Sequence, residues 1–318
     1  MMQIYLLRRL LQLLPTLLTA SILIFFIIAL APGDPAAMRL GPEATQEEIQ
    51  NERERLGLDQ PLPIRYAIWM GDVLSLNLGR SLYTNRPVTE LIGEAFPKTV
   101  ELSLTALVVS LLIGIPLGIW AALHKDQWPD TLITGFNALG LAIPSFWLGI
   151  LLILFFSVQT RLLPPSGAGP AELGFPANFR YLIMPVATIA ISNLSVFSRF
   201  MRSALIDVLS EDFIRTARAK GLSEWLVIAR HALKNALIPI VTIVGIQFGI
   251  LLGGAVVTES VFAYPGIGRL TVTAILNRDY PVVQATLMLV VLIFLIANTL
   301  VDLLYGYLDP RVRLERSR

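Results

Sequence analysis

Thr188, Ser192, Ser195 and Arg199 recur at i, i+4, i+7 and i+11 inside an otherwise apolar run. That spacing puts three hydroxyls and one cation on a single helical face. Such a stripe suits the lining of an aqueous path, and equally suits hydrogen bonding between membrane helices; the spacing leaves both open. Gln247 and Thr242 in the next apolar run carry the same two readings. None of these groups is arranged for covalent chemistry. No Gly-x-x-x-x-Gly-Lys-Ser/Thr, His-Glu-x-x-His or Gly-x-Ser-x-Gly occurs, so the parts for a P-loop, a zinc peptidase or a serine hydrolase elbow are missing. There is no cysteine, and two histidines, His124 and His231, are too few for a metal cage. The expectation is a non-enzyme with no catalytic residue, no metal and no cofactor of its own.

A second cluster lies at 207–223. Residues 207–220 read Asp-Val-Leu-Ser-Glu-Asp-Phe-Ile-Arg-Thr-Ala-Arg-Ala-Lys, a helical pattern with Val208, Phe213 or Ile214, and Ala217 near one face. Gly221 is placed to stop that helix, and Ser223 to N-cap a second one over 224–236. Two short helices joined at a glycine predict a compact knob. Ala217, Ala219 and Gly221 would keep its surface flat, as docking into a partner's groove requires. A basic loop held by lipid phosphates is the other reading. A third cluster, Tyr264-Pro-Gly-Ile-Gly268 between Phe262 and Arg269, predicts a tight turn with positive φ at its glycines. It could reach from the mouth of a path or pack against the ends of neighbouring spans.

The elements that must hold these clusters are membrane helices. Of the 318 residues, 55% are hydrophobic and 15% charged, against about 45–50% apolar and about 25% charged in soluble domains. Six apolar runs reach the roughly 20 residues a spanning helix needs: 10–31, 100–123, 132–158, 182–205, 237–257 and 282–304. Their continuity favours helices over the short alternating strands of a barrel. The first run follows Arg8 and Arg9 but is too long for a signal-peptide core, so an uncleaved anchor is expected. Pro116, Pro144 and Pro185 are candidates to kink their spans, and Gly114-xxx-Gly118 and Gly245-xxx-Gly249-xxx-Gly253 are candidates for close helix packing.

Orientation follows the basic residues of short loops. Arg8 and Arg9, the Lys125 loop, segment 199–234 and the tail from Arg311 together hold 14 of the 25 basic residues, which places both termini and the knob in the cytoplasm. The long stretch 32–98 would then lie outside. In it Thr45-Gln-Glu-Glu48 is a capping box for a short charged helix ending near Gly57, and Ile64, Ala67, Ile68 and Val73 are spaced for a helix along the membrane surface.

The segment Arg215-Thr-Ala-Arg-Ala-Lys-Gly-Leu-Ser223, followed by His231-Ala-Leu-Lys-Asn-Ala-Leu-Ile-Pro239, resembles the cytoplasmic signature loop of type I ABC importer permeases in the dipeptide/oligopeptide/nickel branch. Other segments of that branch recur in order: Ala31-Pro-Gly-Asp-Pro35, Leu56-Gly-Leu-Asp-Gln-Pro-Leu-Pro63, Ile143-Pro-Ser-Phe-Trp147, Val261-Phe-Ala-Tyr-Pro-Gly-Ile-Gly-Arg269, Arg278-Asp-Tyr-Pro-Val282 and Tyr307-Leu-Asp-Pro-Arg311. The general signature opens Glu-Ala-Ala where this chain has Arg215-Thr-Ala217, so contacts of that glutamate are not carried over. The long first outer loop resembles the first permease of the usual pair.

The resemblance implies an all-α integral membrane protein with six transmembrane helices, the type I permease fold and both termini cytoplasmic, in a bacterial or archaeal plasma membrane. It implies an N-terminal part over 1–96, a permease core over 97–306 with a coupling loop at 206–236, and a tail over 307–318. It also implies a second homologous permease, two ATP-binding-cassette ATPase subunits that hold the ATP and Mg, an extracytoplasmic substrate-binding protein, and no nucleic acid. Arg215, Ala217, Ala219, Gly221, Leu222 and Ser223 would couple to an ATPase. Thr188, Ser192, Ser195, Arg199 and Gln247 would line the path. Phe262, Tyr264, Pro265, Gly266 and Arg269 would form the outer gate or meet the binding protein. Short peptides are the expected cargo; nickel chelates, glutathione and oligosaccharides share the branch. A secondary carrier is the rival class, and it needs a midplane ion site that the spans do not supply.

Overall fold

A computed structural model describes residues 2–30, 33–41, 43–170 and 178–308. Residues 31–32 of the first resemblance segment, 309–311 of the last, and the tail beyond 308 lie outside the described residues. Among the described residues the elements are helices, and one isolated bridge joins Arg80 to Pro87. Among the described residues, five helices are long and apolar enough to cross a membrane: Leu11–Ala29, Val88–Leu123, Phe179–Leu209, Glu224–Leu252 and Tyr280–Thr299.

The sixth expected span, 132–158, is a bent pair of helices that together are long and apolar enough to cross, broken at Pro144, one of the candidate kinks. Helix α6 (Trp128–Ala142) meets the stretch Ser145–Gln159, which begins with helix α7 (Ser145–Leu152), at an angle of 99°. Ile143 is extended, with ψ 121, and Pro144 follows. Proline pushes its predecessor out of the helical region and cannot donate to the turn before it. Chain continues beyond α7 as a π-helical stretch, Ile153–Gln159. Pro185 is accommodated inside a continuous helix, because neighbours can satisfy a freed carbonyl.

Packing divides the chain into Met1–Thr99 with Pro265–Leu295, and Val100–Tyr264 with the residues from Ile296. In that first unit, α1 (Met2–Ala29) and α4 (Leu62–Leu74) are joined by Ser21 and Tyr66, whose hydroxyls lie 2.8 Å apart, and by the Phe25, Tyr66 and Trp69 rings. Ile64 and Ile68 of α4 are exposed, as a helix lying on a membrane surface requires. Helix α2 (Pro35–Leu40) is tied by the Arg39–Glu52 ion pair to α3 (Gln46–Arg55). The capping box that starts α3 is formed in both directions: Thr45 N donates to Glu48 at 2.8 Å, and Glu48 N to the Thr45 hydroxyl at 3.3 Å.

Asp279 organises the rest of this unit. Its buried carboxylate accepts from the Ser81 hydroxyl at 2.5 Å, from Leu82 N at 3.0 Å and from Tyr83 N at 3.4 Å. A carboxylate that satisfies a buried turn leaves several donors bare when removed. Asp279→Ala should therefore lower stability by about 1–3 kcal/mol, read as an earlier thermal melt of the detergent-solubilised chain, whereas Asp279→Asn, which keeps an acceptor oxygen, should lose less.

The second unit holds the larger core. Leu102, Ala106 and Leu107 of α5 (Val88–Leu123) pack with Leu182, Val186, Ile189 and Phe197 of α8 (Phe179–Leu209) and with Leu251 and Ala255. Gly114 and Gly118 lie directly against Leu194, Phe197, Ser198 and Met201 of α8. The small-residue motif of α5 thus serves packing within this chain. Near the far end of α8 a second apolar cluster forms around Met201 and Leu205, and it seats the knob.

Candidate functional site

Helix α8 ends at Leu209, and Ser210 closes it by donating its hydroxyl to Asp207 O at 2.7 Å. Glu211 is extended and starts α9 (Asp212–Ala219), so the single helix expected over 207–220 is two. The second expected knob helix, 224–236, is not separate either. Helix α10 (Glu224–Leu226), a π-helical stretch Val227–Ala232 and helix α11 (Leu233–Gly254) follow one another into the fifth span. Ser223 stands at the predicted cap position, but its side chain makes no capping bond.

Helix α9 is strongly two-faced. Ile214 is 0% and Ala217 is 6% exposed, and both pack among Ala122, Met201, Leu205, Val227, Ala232, Ala236 and Ile240. Leu222 packs partly against the same cluster. Ala217 is therefore a seating residue, and the flat outward surface drawn from the sequence is corrected. The outward side carries Phe213, Arg215, Thr216, Ala219, Lys220 and Gly221. Gly221 has φ +78, and a Cβ there would meet nothing within 4 Å, so its backbone conformation rather than crowding calls for glycine. Across this turn Arg218 grips Glu224 with both ends of its fork, Nε to Oε2 at 3.1 Å and Nη2 to Oε1 at 2.6 Å. The Glu224 carboxylate raises the pKa of the Arg218 guanidinium.

The polar stripe of α8 divides between two environments. Thr188 and Ser195 are buried, and each donates to its own helix, to Met184 O at 2.9 Å and Ile191 O at 2.8 Å. Ser195 is covered by Gly140 of α6. Both are packing residues in this conformation, as hydroxyls that bond back to the preceding turn often are. Ser192 is half-buried and Arg199 exposed, the latter 5.6 Å from the Phe200 ring. Gln247 of α11 donates to Asn193 Oδ1 at 2.7 Å, and Asn193 donates on to Ile189 O at 2.9 Å.

The residues expected at the outer mouth are also split. Phe262 follows α12 (Val256–Val261), is 1% exposed, lies against Gly149 of α7, and accepts from Gly167 N at 2.8 Å. Tyr264 is 1% exposed and belongs to the main core; its hydroxyl donates to Glu101 Oε2 at 3.1 Å. Burial, with Glu101 adding to it, pushes the Tyr264 phenol upward in pKa. The positive φ falls on Ala263, at 46, and on neither predicted glycine. Gly266 is extended at the start of α13 (Ile267–Leu276), which contains Gly268. Pro265 and Arg269 are exposed.

Five polar pairings here were not named from the sequence: Arg202 with Asp130, Asn137 with Ser198, Arg218 with Glu224, Tyr264 with Glu101, and Gln247 with Asn193. Only the third carried a local signal, since opposite charges flank a helix-stopping glycine.

Comparison with known proteins decides the family. Residues 114–314 match the model of the binding-protein-dependent transport system inner membrane component, and residues 1–105 match the model of its N-terminal part. The chain belongs to this permease family. The permease is 42% identical over 98% of its length to a probable peptide ABC transporter permease protein, y4tP, of Sinorhizobium fredii, covering 100% of that protein. It is 44% identical over 97% of its length to the glutathione transport system permease protein GsiC of Salmonella typhimurium, covering 98% of it. Among solved structures, the inward-facing MetNI methionine ABC transporter matches 70% of the permease and 98% of its own chain, at TM-score 0.59 and 16% identity, a likeness in fold. This is thus a type I ABC importer permease of the peptide/glutathione family, a multi-pass protein of the bacterial inner membrane. Its family consists of membrane permease subunits, which are not themselves enzymes.

Proposed function

We propose that this permease forms half of a translocation path with a second, homologous permease, and carries short peptides delivered by an external binding protein. Both termini and α9 face the cytoplasm, where two ATPase subunits hold ATP and Mg. Closure of those subunits rocks the paired permeases as rigid bodies between inward- and outward-facing states. One observation supports the reading above others: α9 is seated by Ile214 and Ala217 while Phe213, Arg215, Ala219 and Gly221 face away from the chain. An eight-residue helix with a buried apolar edge and a bare second edge suits insertion in a partner's groove. The path role is kept for Ser192, Arg199 and Gln247, and the mouth role for Pro265 and Arg269. Glutathione, itself a tripeptide, is the second cargo, favoured by the name of the Salmonella relative.

Phe213→Glu tests docking without disturbing the seat, because Phe213 is 43% exposed. The expected result is at least a roughly 30-fold weaker hold on the ATPase subunit in copurification, the size of an interface hot spot, with an unchanged melting temperature. Full retention of the ATPase in this variant would end the docking assignment. Competition of dipeptides and glutathione for uptake in the reconstituted importer separates the two cargoes.

A further inference from the structure

Helices α6 and α8 run antiparallel, and three contacts are set along them like rungs. Nearest α9, Arg202 holds Asp130 in a fork, Nε to Oδ1 at 2.5 Å and Nη2 to Oδ2 at 2.7 Å. The Asp130 side chain is only 6% exposed, and it also accepts from Asp126 N at 3.0 Å and Thr134 Oγ1 at 3.4 Å. Further along, Asn137 Nδ2 donates to Ser198 Oγ at 3.0 Å, both residues being buried. Last, Gly140 fits against Ser195, whose hydroxyl a Cβ at that position would strike.

The two ends of this ladder are placed where movement matters. Arg202 lies in the last two turns of α8, and α9 begins only three residues after α8 ends. Gly140 lies just before the Ile143–Pro144 break, where the stretch Ser145–Gln159 leaves α6 at 99°. Purely apolar helix faces can slide past one another by a turn, about 5.4 Å. Here such a slip would leave the buried Asp130 carboxylate without its partly exposed Arg202 partner and the buried Asn137 amide without Ser198, which is strongly disfavoured.

We propose that the Asp130–Arg202 pair is a register lock. It makes α6 and α8 one body, so that a displacement of α9 arrives undiminished at the break between α6 and α7. Both act as positioning residues, through the helices they join. The inference rests on the reading of α9 as the docking knob.

Replacing an ion pair whose carboxylate is buried by apolar side chains of similar volume is often neutral for stability, and the partly exposed Arg202 side chain leaves room for the methionine. The Asp130→Leu/Arg202→Met double variant therefore removes the lock while keeping the contact filled. It is reconstituted in liposomes with its partner permease and ATPases, and uptake, ATP hydrolysis, ATPase copurification and melting are measured together. The expected result is parental melting, parental copurification and near-parental ATP hydrolysis, with uptake per ATP reduced about tenfold, a size reached by altered coupling networks. Parental uptake per ATP would overturn the lock, whatever Phe213→Glu shows about docking. Should the double variant fold poorly, Asp130→Glu retains both charges and shifts the register by one methylene. Uptake per ATP should fall in it at an unchanged melting temperature, and parental coupling there would equally overturn the proposal.

Discussion

Tyr264→Ala should cost the permease about 3–5 kcal/mol of folding stability, the usual range for emptying a large aromatic site. Its side chain is 1% exposed and is packed by Leu102, Ala106, Leu182, Val186, Leu251 and Ala255. Those residues come from several helices, so the hole opens where they meet and cannot be closed by one side chain turning. Glu101 would also lose the hydroxyl donor at 3.1 Å. The measurement is thermal melting and gel filtration of the solubilised chain, which should show an early melt and aggregation. Tyr264→Phe removes only the hydroxyl and should cost about 1 kcal/mol. If Tyr264→Ala instead melted like the parent and lost only uptake, the tyrosine would be a tip residue at the mouth, as one of the two sequence readings had it. The contrast tests Tyr264 as a buried anchor beside the equally buried Phe262; Pro265 and Arg269 are exposed.

Features written in local chemistry were legible in the sequence. The capping box at Thr45 needs only four adjacent residues and formed in full. The stop at Gly221 needs only a residue that tolerates φ near +78. Apolar length located five spans, because a run of apolar side chains has few places to go but into lipid, though two of the helices begin well before the apolar run, at Val88 and Glu224 against expected starts at 100 and 237.

Features that depend on a neighbour were not legible. An eight-residue helix allowed either Phe213 or Ile214 to face inward, and only the pocket made by Met201, Leu205 and Val227 selects Ile214. Thr188 and Ser195 have the spacing of a wet stripe, yet Gly140, far away in sequence, covers Ser195. Pro144 and Pro185 are the same residue in similarly apolar runs, and one breaks the helix while the other does not. Asp130 and Arg202 stand 72 positions apart, so no window of periodicity could have joined them.

Gly118→Val should be the most damaging single change in the core, because the obstacle is backbone. A Cβ at Gly118 would collide with the Ser198 carbonyl oxygen and lie 2.7 Å from Met201 Cβ; at Gly114 it would lie 2.7 Å from the Leu194 carbonyl oxygen. Neither carbonyl can rotate away without breaking its own helix, so α5 and α8 must separate. Met201 lies on that interface and also in the cluster that seats α9, so a spread here reaches the knob. Even Gly118→Ala should cost about 1–3 kcal/mol, and the branched valine should prevent recovery of folded permease. Gly135→Ala is the control. It lies in helix α6 with nothing within 4 Å of its Cβ, so alanine there should stabilise by about 0.5–1 kcal/mol through helix propensity. Yield and melting temperature of the three variants in one detergent decide the matter. Opposite signs for Gly118→Ala and Gly135→Ala are the expected outcome, and equal melting of the two would mean that α5 and α8 do not meet at Gly118.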